Sequence, residues 1–172
     1  MFAATSLMLR VCRRVRSAMS FVWGGYHIAN IYKPPTPTEH WNNTNLPPVL
    51  PDPAVLVGDF NSHHQDWGYQ EANLNGESLQ EWALNSDYLL LHDAKQCGTF
   101  HSARWQRDYS PDLCWISTTV GHQQPASSVV LGDFPHSQHR VPPTFSYSHW
   151  PPASHHQRSP TQKIMKMELQ KS

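Results

Sequence analysis

Val55, Leu56 and Val57 form an unbroken apolar run, and Gly58 ends it before a polar stretch of Asp59, Asn61, Ser62, His63 and His64. So short and β-branched a run predicts a buried strand over 55–60, although periodicity alone leaves a helix open. Tyr26–Tyr32 predicts a second strand, with Ile28 and Tyr32 among its inward residues, and Lys33-Pro34-Pro35 stops it. The stretch that follows, through Leu50, is rich in Pro, Thr and Asn and predicts a loop. Asn75-Gly76-Glu77-Ser78 opens a helix in which Leu79, Trp82 and Ala83 share one face at the three-and-four spacing. Further short strands are predicted over 88–92, 97–101 and 113–117. Strands alternating with few helices across long loops suit a packed α/β sandwich better than a helical bundle.

The polar residues at the end of the 55–60 strand are the first candidates for chemistry. If extended geometry continues past Gly58, Asp59 and Asn61 point to the same side and offer one carboxylate and one amide to a common point. The plainer reading of Asp59 is a turn cap, and Asp112 after Pro111 reads equally well as a turn carboxylate. His63 and His64 attract attention as metal ligands, but a hard cation prefers oxygen, so they are expected to shape the loop or a substrate groove. Trp67, Trp82, Trp105 and Trp115 are expected in the core or covering the sheet. Cys12, Cys97 and Cys114 are an odd number without paired spacing. They predict no disulfide framework, no disulfide-linked partner and no zinc site, with Cys97 and Cys114 as buried inert thiols.

Several segments together carry a resemblance. Gly58-Asp59-Phe60-Asn61 resembles the signature of the endonuclease/exonuclease/phosphatase superfamily, and its extension through His63-His64 to Trp67-Gly68 resembles the endonuclease domain of non-LTR retrotransposons. Asn30 to Pro35, Asn75-Gly76 with Leu79 and Trp82, Gly98 to Ser102, Ser110 to Ser117 and Phe134 to Arg140 are similar to further family segments, in the same order. The resemblance implies an α/β fold, a partial four-layer β-sandwich flanked by helices with its first half missing. It also implies magnesium- or manganese-dependent hydrolysis of DNA phosphodiester bonds. Asp59 would orient or deprotonate the attacking water and hold the metal, while Asn61 and Tyr32 would donate to the phosphate. His139 would sit beside the phosphate with its tautomer fixed by Asp112, and Thr99 and Ser137 would add substrate contacts.

Two departures from the family predict weak or absent activity. Gln138 stands where the superfamily has an aspartate, and glutamine supplies no negative charge. The half-domain that brings a metal-binding glutamate in the relatives has no counterpart before residue 21, so magnesium would bind weakly. Trp82, residues 89–91 and residues 113–116 are then expected to lose part of their cover. The reverse transcriptase domain that normally follows is absent from these residues.

Charge and the two ends add the rest. Net charge is zero, yet residues 21–141 hold twelve Asp and Glu against five Lys and Arg, while Arg10, Arg13, Arg14 and Arg16 precede the first acid, Glu39. The middle therefore lacks the basic footprint of a typical nucleic-acid binder, and phosphate binding there would depend on metal and local geometry. The expected organisation is a basic, disordered leader outside the family over 1–20, the partial domain over 21–141, and a disordered Pro-, His- and Ser-rich tail over 142–172. Phe2 to Leu9 precedes the arginines and is too short for a membrane span, which argues against a secretory signal or anchor. The nucleus or cytoplasm is expected, with mitochondrial import as the lesser alternative because the leader is Arg-rich and acid-free. Two other functions stay open: another phosphodiesterase or phosphatase branch of the superfamily, and a noncatalytic nucleic-acid-associating fragment that uses the basic ends.

Overall fold

The computed structural model describes residues 10–11, 18–23, 25–36, 39–118, 126–132, 136–140 and 144–147. Its centre is a six-stranded sheet of β1 (Arg10–Val11), β2 (Ala18–Trp23), β3 (Tyr26–Tyr32), β4 (Ala54–Asp59), β5 (Tyr88–Leu90) and β8 (Asp112–Ser117). The spatial order is β1-β2-β3-β4-β8-β5. Only β3 and β4 run parallel within it. β6 (Phe100–Ser102) and β7 (Arg107–Tyr109) form a separate hairpin, and β9 (Ala126–Val129) pairs with β10 (Thr144–Tyr147). Helix α1 spans Leu74–Asn85. Among the described residues no helix is long and apolar enough to cross a membrane.

Successive side chains on a strand alternate between faces, and the register sorts the core accordingly. Ala29, Leu56 and Trp115 align across β3, β4 and β8, and they belong to the larger buried cluster with Trp41, Phe60, Trp67, Leu79, Trp82 and Ala83. Ile28, Val55 and Ile116 align on the opposite face and form a smaller cluster with Cys114. A parallel pair needs a long crossover, and residues 33–53 supply it. That segment is no simple solvated loop: Trp41 is buried, its backbone N–H donates to Asn75 Oδ1 at 2.9 Å and its indole donates to Ser62 Oγ at 2.9 Å.

The helix begins slightly ahead of the expected opening at Asn75. Asn73 is the N-cap, with its side chain accepting from the Gly76 N–H at 2.8 Å, and Glu77 lies in the first turn, where the helix dipole favours a carboxylate. Asn73 also ties the helix to the preceding loop, donating its backbone N–H to His63 O at 3.0 Å and accepting from His63 N–H at 3.2 Å. The approach is so close that a Cβ on Gly76 would sit 1.7 Å from His63 O. Alanine favours a helix over glycine by only about 1 kcal/mol, far too little to offset a collision with fixed backbone. Gly76→Ala is therefore expected to lower the thermal midpoint by about 5 °C or more in a melt followed by tryptophan fluorescence.

Several expectations need correction. The sheet begins ahead of residue 21, because Ala18–Trp23 and Arg10–Val11 are strands, and Thr144–Tyr147 is a strand within the segment expected as tail. The remainder of 1–20 and of 142–172 lies outside the described residues. Trp82 and Leu113 to Ile116 are buried rather than stripped of cover, although Leu89 is 53% exposed. Cys97 is exposed and precedes β6, whereas Cys114 is buried as expected and burial pushes its thiol up to about 12. Trp105 is 62% exposed at the turn between β6 and β7, where the Arg104 guanidinium lies 4.9 Å from its ring. Among the described residues the β6–β7 hairpin stands outside the main sheet, so the ring at its tip stays in solvent.

Candidate active site

Tyr32, Asp59 and Asp112 are register partners at the ends of β3, β4 and β8, so the pairing aligns them in one row. They lie on the face of the smaller apolar cluster, where the apolar rows end and polar residues begin. Backbone bonds fix the row on both sides of Asp59: Lys33 N–H donates to Asp59 O at 2.8 Å and Phe60 N–H donates to Pro111 O at 2.9 Å. Tyr32 is 48% exposed, not inward, because β3 ends there.

Asn61 reaches the site by a different route from the extended one expected. Its φ is 42°, in the left-handed region that asparagine tolerates better than most residues. The chain turns immediately after the strand, with Asp59 Oδ1 accepting from the Asn61 N–H at 3.0 Å. The Asn61 amide then donates to Lys33 O at 2.9 Å. Asp59 is thus a turn carboxylate and a member of the site row at once, and the two readings of it do not compete.

His139 closes the constellation from the far end of the sequence. Its Nδ1 lies 3.0 Å from Asp112 Oδ2, so with the carboxylate accepting, Nδ1 carries the proton. Each of Asp59, Asp112 and His139 offers a ligand atom within 4.8 Å of the others. Asp112 is 4% exposed. Burial, and next the negative charge of Asp112, push the Asp59 carboxyl up to about 6, against the opposing pull of the Asn61 N–H and His139. Two carboxylates in a half-desolvated site with one imidazole are short of positive charge, which is the environment in which oxygen donors take up a divalent cation.

Thr99 and Ser137 hold the backbone of this site. The buried Thr99 accepts from the Asp112 N–H at 3.2 Å, and Ser137 Oγ accepts from the His139 N–H at 3.0 Å. Gln138 turns to the hairpin, where its side-chain oxygen accepts from the Ala103 N–H at 3.3 Å. The carboxylate on His139 is Asp112, from the neighbouring strand end. His63 stacks on Tyr69 at 4.1 Å and His64 on Trp67 at 5.0 Å, while His64 Nδ1 accepts from the Asp66 N–H at 3.1 Å, so both shape the loop after β4.

Tyr69 is a neighbour that the sequence pattern does not single out. It lies between His63 and Tyr109 in a stacked row, and its hydroxyl is pushed up by burial and then by Asp59 and Asp112. Its only sequence signal is its place just after Trp67-Gly68.

Comparison with known proteins agrees with this fold. No curated protein matches the chain. Among solved structures, the endonuclease domain of TRAS1, a telomere-specific non-LTR retrotransposon, is similar with a TM-score of 0.50 and 15% identity, over 72% of this chain and 57% of that one. The chain thus spans little more than half of that domain. The mixed α/β architecture is the one the two share. A family model described as Endonuclease-reverse transcriptase matches residues 26–141, which take in the row of Tyr32, Asp59 and Asp112 together with His139, and the chain belongs to that family.

Proposed function

We propose that this chain carries a weak, magnesium-dependent phosphodiester hydrolase centre that acts on DNA. The observation that carries the reading is the convergence of Asp59, Asp112 and His139 within 4.8 Å, on segments far apart in sequence. Asp59, with its carboxyl raised to about 6, accepts a proton from the attacking water near neutral pH. Tyr32, exposed beside it, donates its phenolic O–H to a phosphate oxygen. Asn61 uses its amide on Lys33 O and keeps a second amide hydrogen for the phosphate. His139, held through Nδ1 by Asp112, sits beside the phosphate as its imidazole partner. Asp59 and Asp112 would be the oxygen donors for the cation. Magnesium would neutralise charge on the phosphate and on the leaving oxygen.

The exposed β6–β7 tip supports DNA as the substrate. Arg104, Trp105 and Arg107 are all exposed there, in a stretch of chain otherwise rich in acids, and they combine phosphate-binding charge with an aromatic face. The same tip is what favours a second reading, noncatalytic association with nucleic acid. Salt-sensitive binding with no metal-dependent cleavage would select it.

The test is nicking of supercoiled plasmid by the purified full chain in magnesium and in EDTA, with Asp112→Asn beside the wild type. Slow nicking in magnesium, none in EDTA, and a loss of about 100-fold in Asp112→Asn are expected, since that variant removes the charged partner of His139. Absence of nicking by folded wild-type protein, or nicking indifferent to EDTA, would overturn the reading.

A further inference from the structure

Arg140, next to His139 in sequence, makes the densest set of polar contacts around the site. Its Nη1 donates to Gly98 O at 2.5 Å and to Asp108 Oδ2 at 2.9 Å, and its Nη2 donates to Asp108 Oδ1 at 3.3 Å. Its backbone N–H donates to Thr99 O at 2.7 Å. Thr99 is also the residue whose hydroxyl holds the Asp112 N–H. One residue therefore carries both partners of the imidazole–carboxylate pair, Asp112 on its side chain and the His139 segment on its carbonyl. His139 is bridged to Phe100, with a ring contact at 4.9 Å, and its N–H donates to Ser137 Oγ at 3.0 Å.

We propose that Arg140 is a positioning residue for His139: its fork, anchored on Asp108 and the Gly98 carbonyl, holds the 137–140 segment so that Nδ1 meets Asp112. The proposal rests on the hydrolase reading for its kinetic consequence and on geometry alone for the rest. Arginine is the residue the geometry requires. Three bonds leave one planar group toward a carboxylate and a carbonyl on two different segments, and the single ammonium of lysine cannot reproduce that fork. The Asp108 carboxylate is shared with His101 Nδ1 at 2.7 Å, and Arg140, then His101, hold it below the usual carboxylate range. The anchor is therefore charged throughout the neutral range.

The experiment compares wild type, Arg140→Lys and Asp108→Asn as full chains. Partly exposed ion pairs contribute little to stability, so melting temperature and the emission of buried Trp67, Trp82 and Trp115 should stay close to wild type. The His139 Nδ1–H resonance should broaden or vanish in Arg140→Lys and weaken in Asp108→Asn, which keeps one acceptor oxygen for the fork. Nicking kcat should fall about 10- to 100-fold with KM changed less than about twofold, the signature of a misplaced group rather than lost binding. An unchanged Nδ1–H resonance in a folded Arg140→Lys would overturn the proposal. Loss of fold in both variants would overturn it too, since the fork would then be a requirement of the fold. If wild type does not nick, the hydrolase reading fails, and the resonance still decides whether Arg140 positions His139.

Discussion

Asp59→Asn is expected to cut magnesium-dependent nicking by at least about 100-fold and, in the same protein, to raise stability above pH 6. The two effects have one cause. Asparagine keeps the oxygen that accepts the Asn61 N–H and fits the same space, but it can neither take a proton from water nor attract a cation. The carboxylate it replaces is an unfavourable charge. Burial and the nearby Asp112 raise its folded pKa from 3.8 to about 6. A raised carboxyl contributes stability that is fully present below pH 3.8 and lost as pH rises through about 6. The ionised form therefore costs the apo protein on the order of 2 kcal/mol at pH 8.

Asp59→Asn removes that cost, so wild type and variant should have similar thermal midpoints below pH 4, with the gap opening between about pH 4 and 6 and level above pH 7, the variant higher. Magnesium should narrow the gap by stabilising wild type alone. Nicking by wild type should rise as pH passes through about 6, and lower with bound magnesium, since the cation favours the ionised carboxylate. Nicking retained at pH 8 in Asp59→Asn would remove Asp59 from the chemistry. Equal pH dependence of the two melting curves would show that the carboxyl is not perturbed.

The parts of the fold legible in the sequence are those where one physical signal dominates. Strands β3, β4 and β8 are short β-branched or aromatic runs paired at the centre of the sheet, so burial on both faces writes an apolar run into the sequence. Helix α1 is legible because Leu79, Trp82 and Ala83 fall on one side, although its cap, Asn73, lies two residues ahead of the expected opening at Asn75. Strand β7, with Arg107 and Asp108 exposed, carries no such run because its hairpin buries almost nothing. Strand β2 is equally obscure: Met19, Val22 and Trp23 stay partly in solvent near the sheet edge, and exposure removes the alternation that would mark them. Trp41 lies in a Pro-, Thr- and Asn-rich stretch, where composition says loop and only the tertiary bonds to Asn75 and Ser62 say core. In the site, Asp59 and Asn61 stand out by adjacency to a buried strand. The pairing of Asp112 with His139, 27 residues apart, cannot be read from spacing and comes only through family likeness. The Arg140 fork has no sequence signature at all, because its partners Gly98 and Asp108 are brought to it by the hairpin.

Gly58→Ala is expected to have the largest effect on folding, leaving protein that is insoluble or melts far below wild type. Gly58 sits inside β4, opposite Ile31 of β3 and Leu113 of β8, with φ 147°. An added Cβ would lie 1.9 Å from Ile31 O and 2.8 Å from Ile31 C and N. These are main-chain atoms in a parallel pair bonded along its length, so no rotamer change can relieve the contact. The adjustments open to the chain are to move β3 off β4 or to rotate the peptide at Gly58, and either breaks the central pairing of the sheet. Breaking it separates Tyr32 from Asp59 and opens the larger cluster around Leu56, Phe60 and Trp115. A cost above about 4 kcal/mol is exceptional for one substitution, and a methyl group driven into main chain belongs to that class, with most of a small domain's 5–15 kcal/mol at stake. The measurement is the soluble yield and urea midpoint of Gly58→Ala beside Ala54→Gly, a change in the same strand that removes a methyl group and meets no backbone. A loss confined to Gly58→Ala would identify the approach of β3 to β4 as the cause, because lost β propensity would weaken Ala54→Gly instead. A Gly58→Ala protein with a wild-type midpoint would mean that β3 and β4 do not approach this closely. The glycine that precedes Asp59 therefore answers to sheet packing, and the turn that presents the carboxylate depends on that packing being intact.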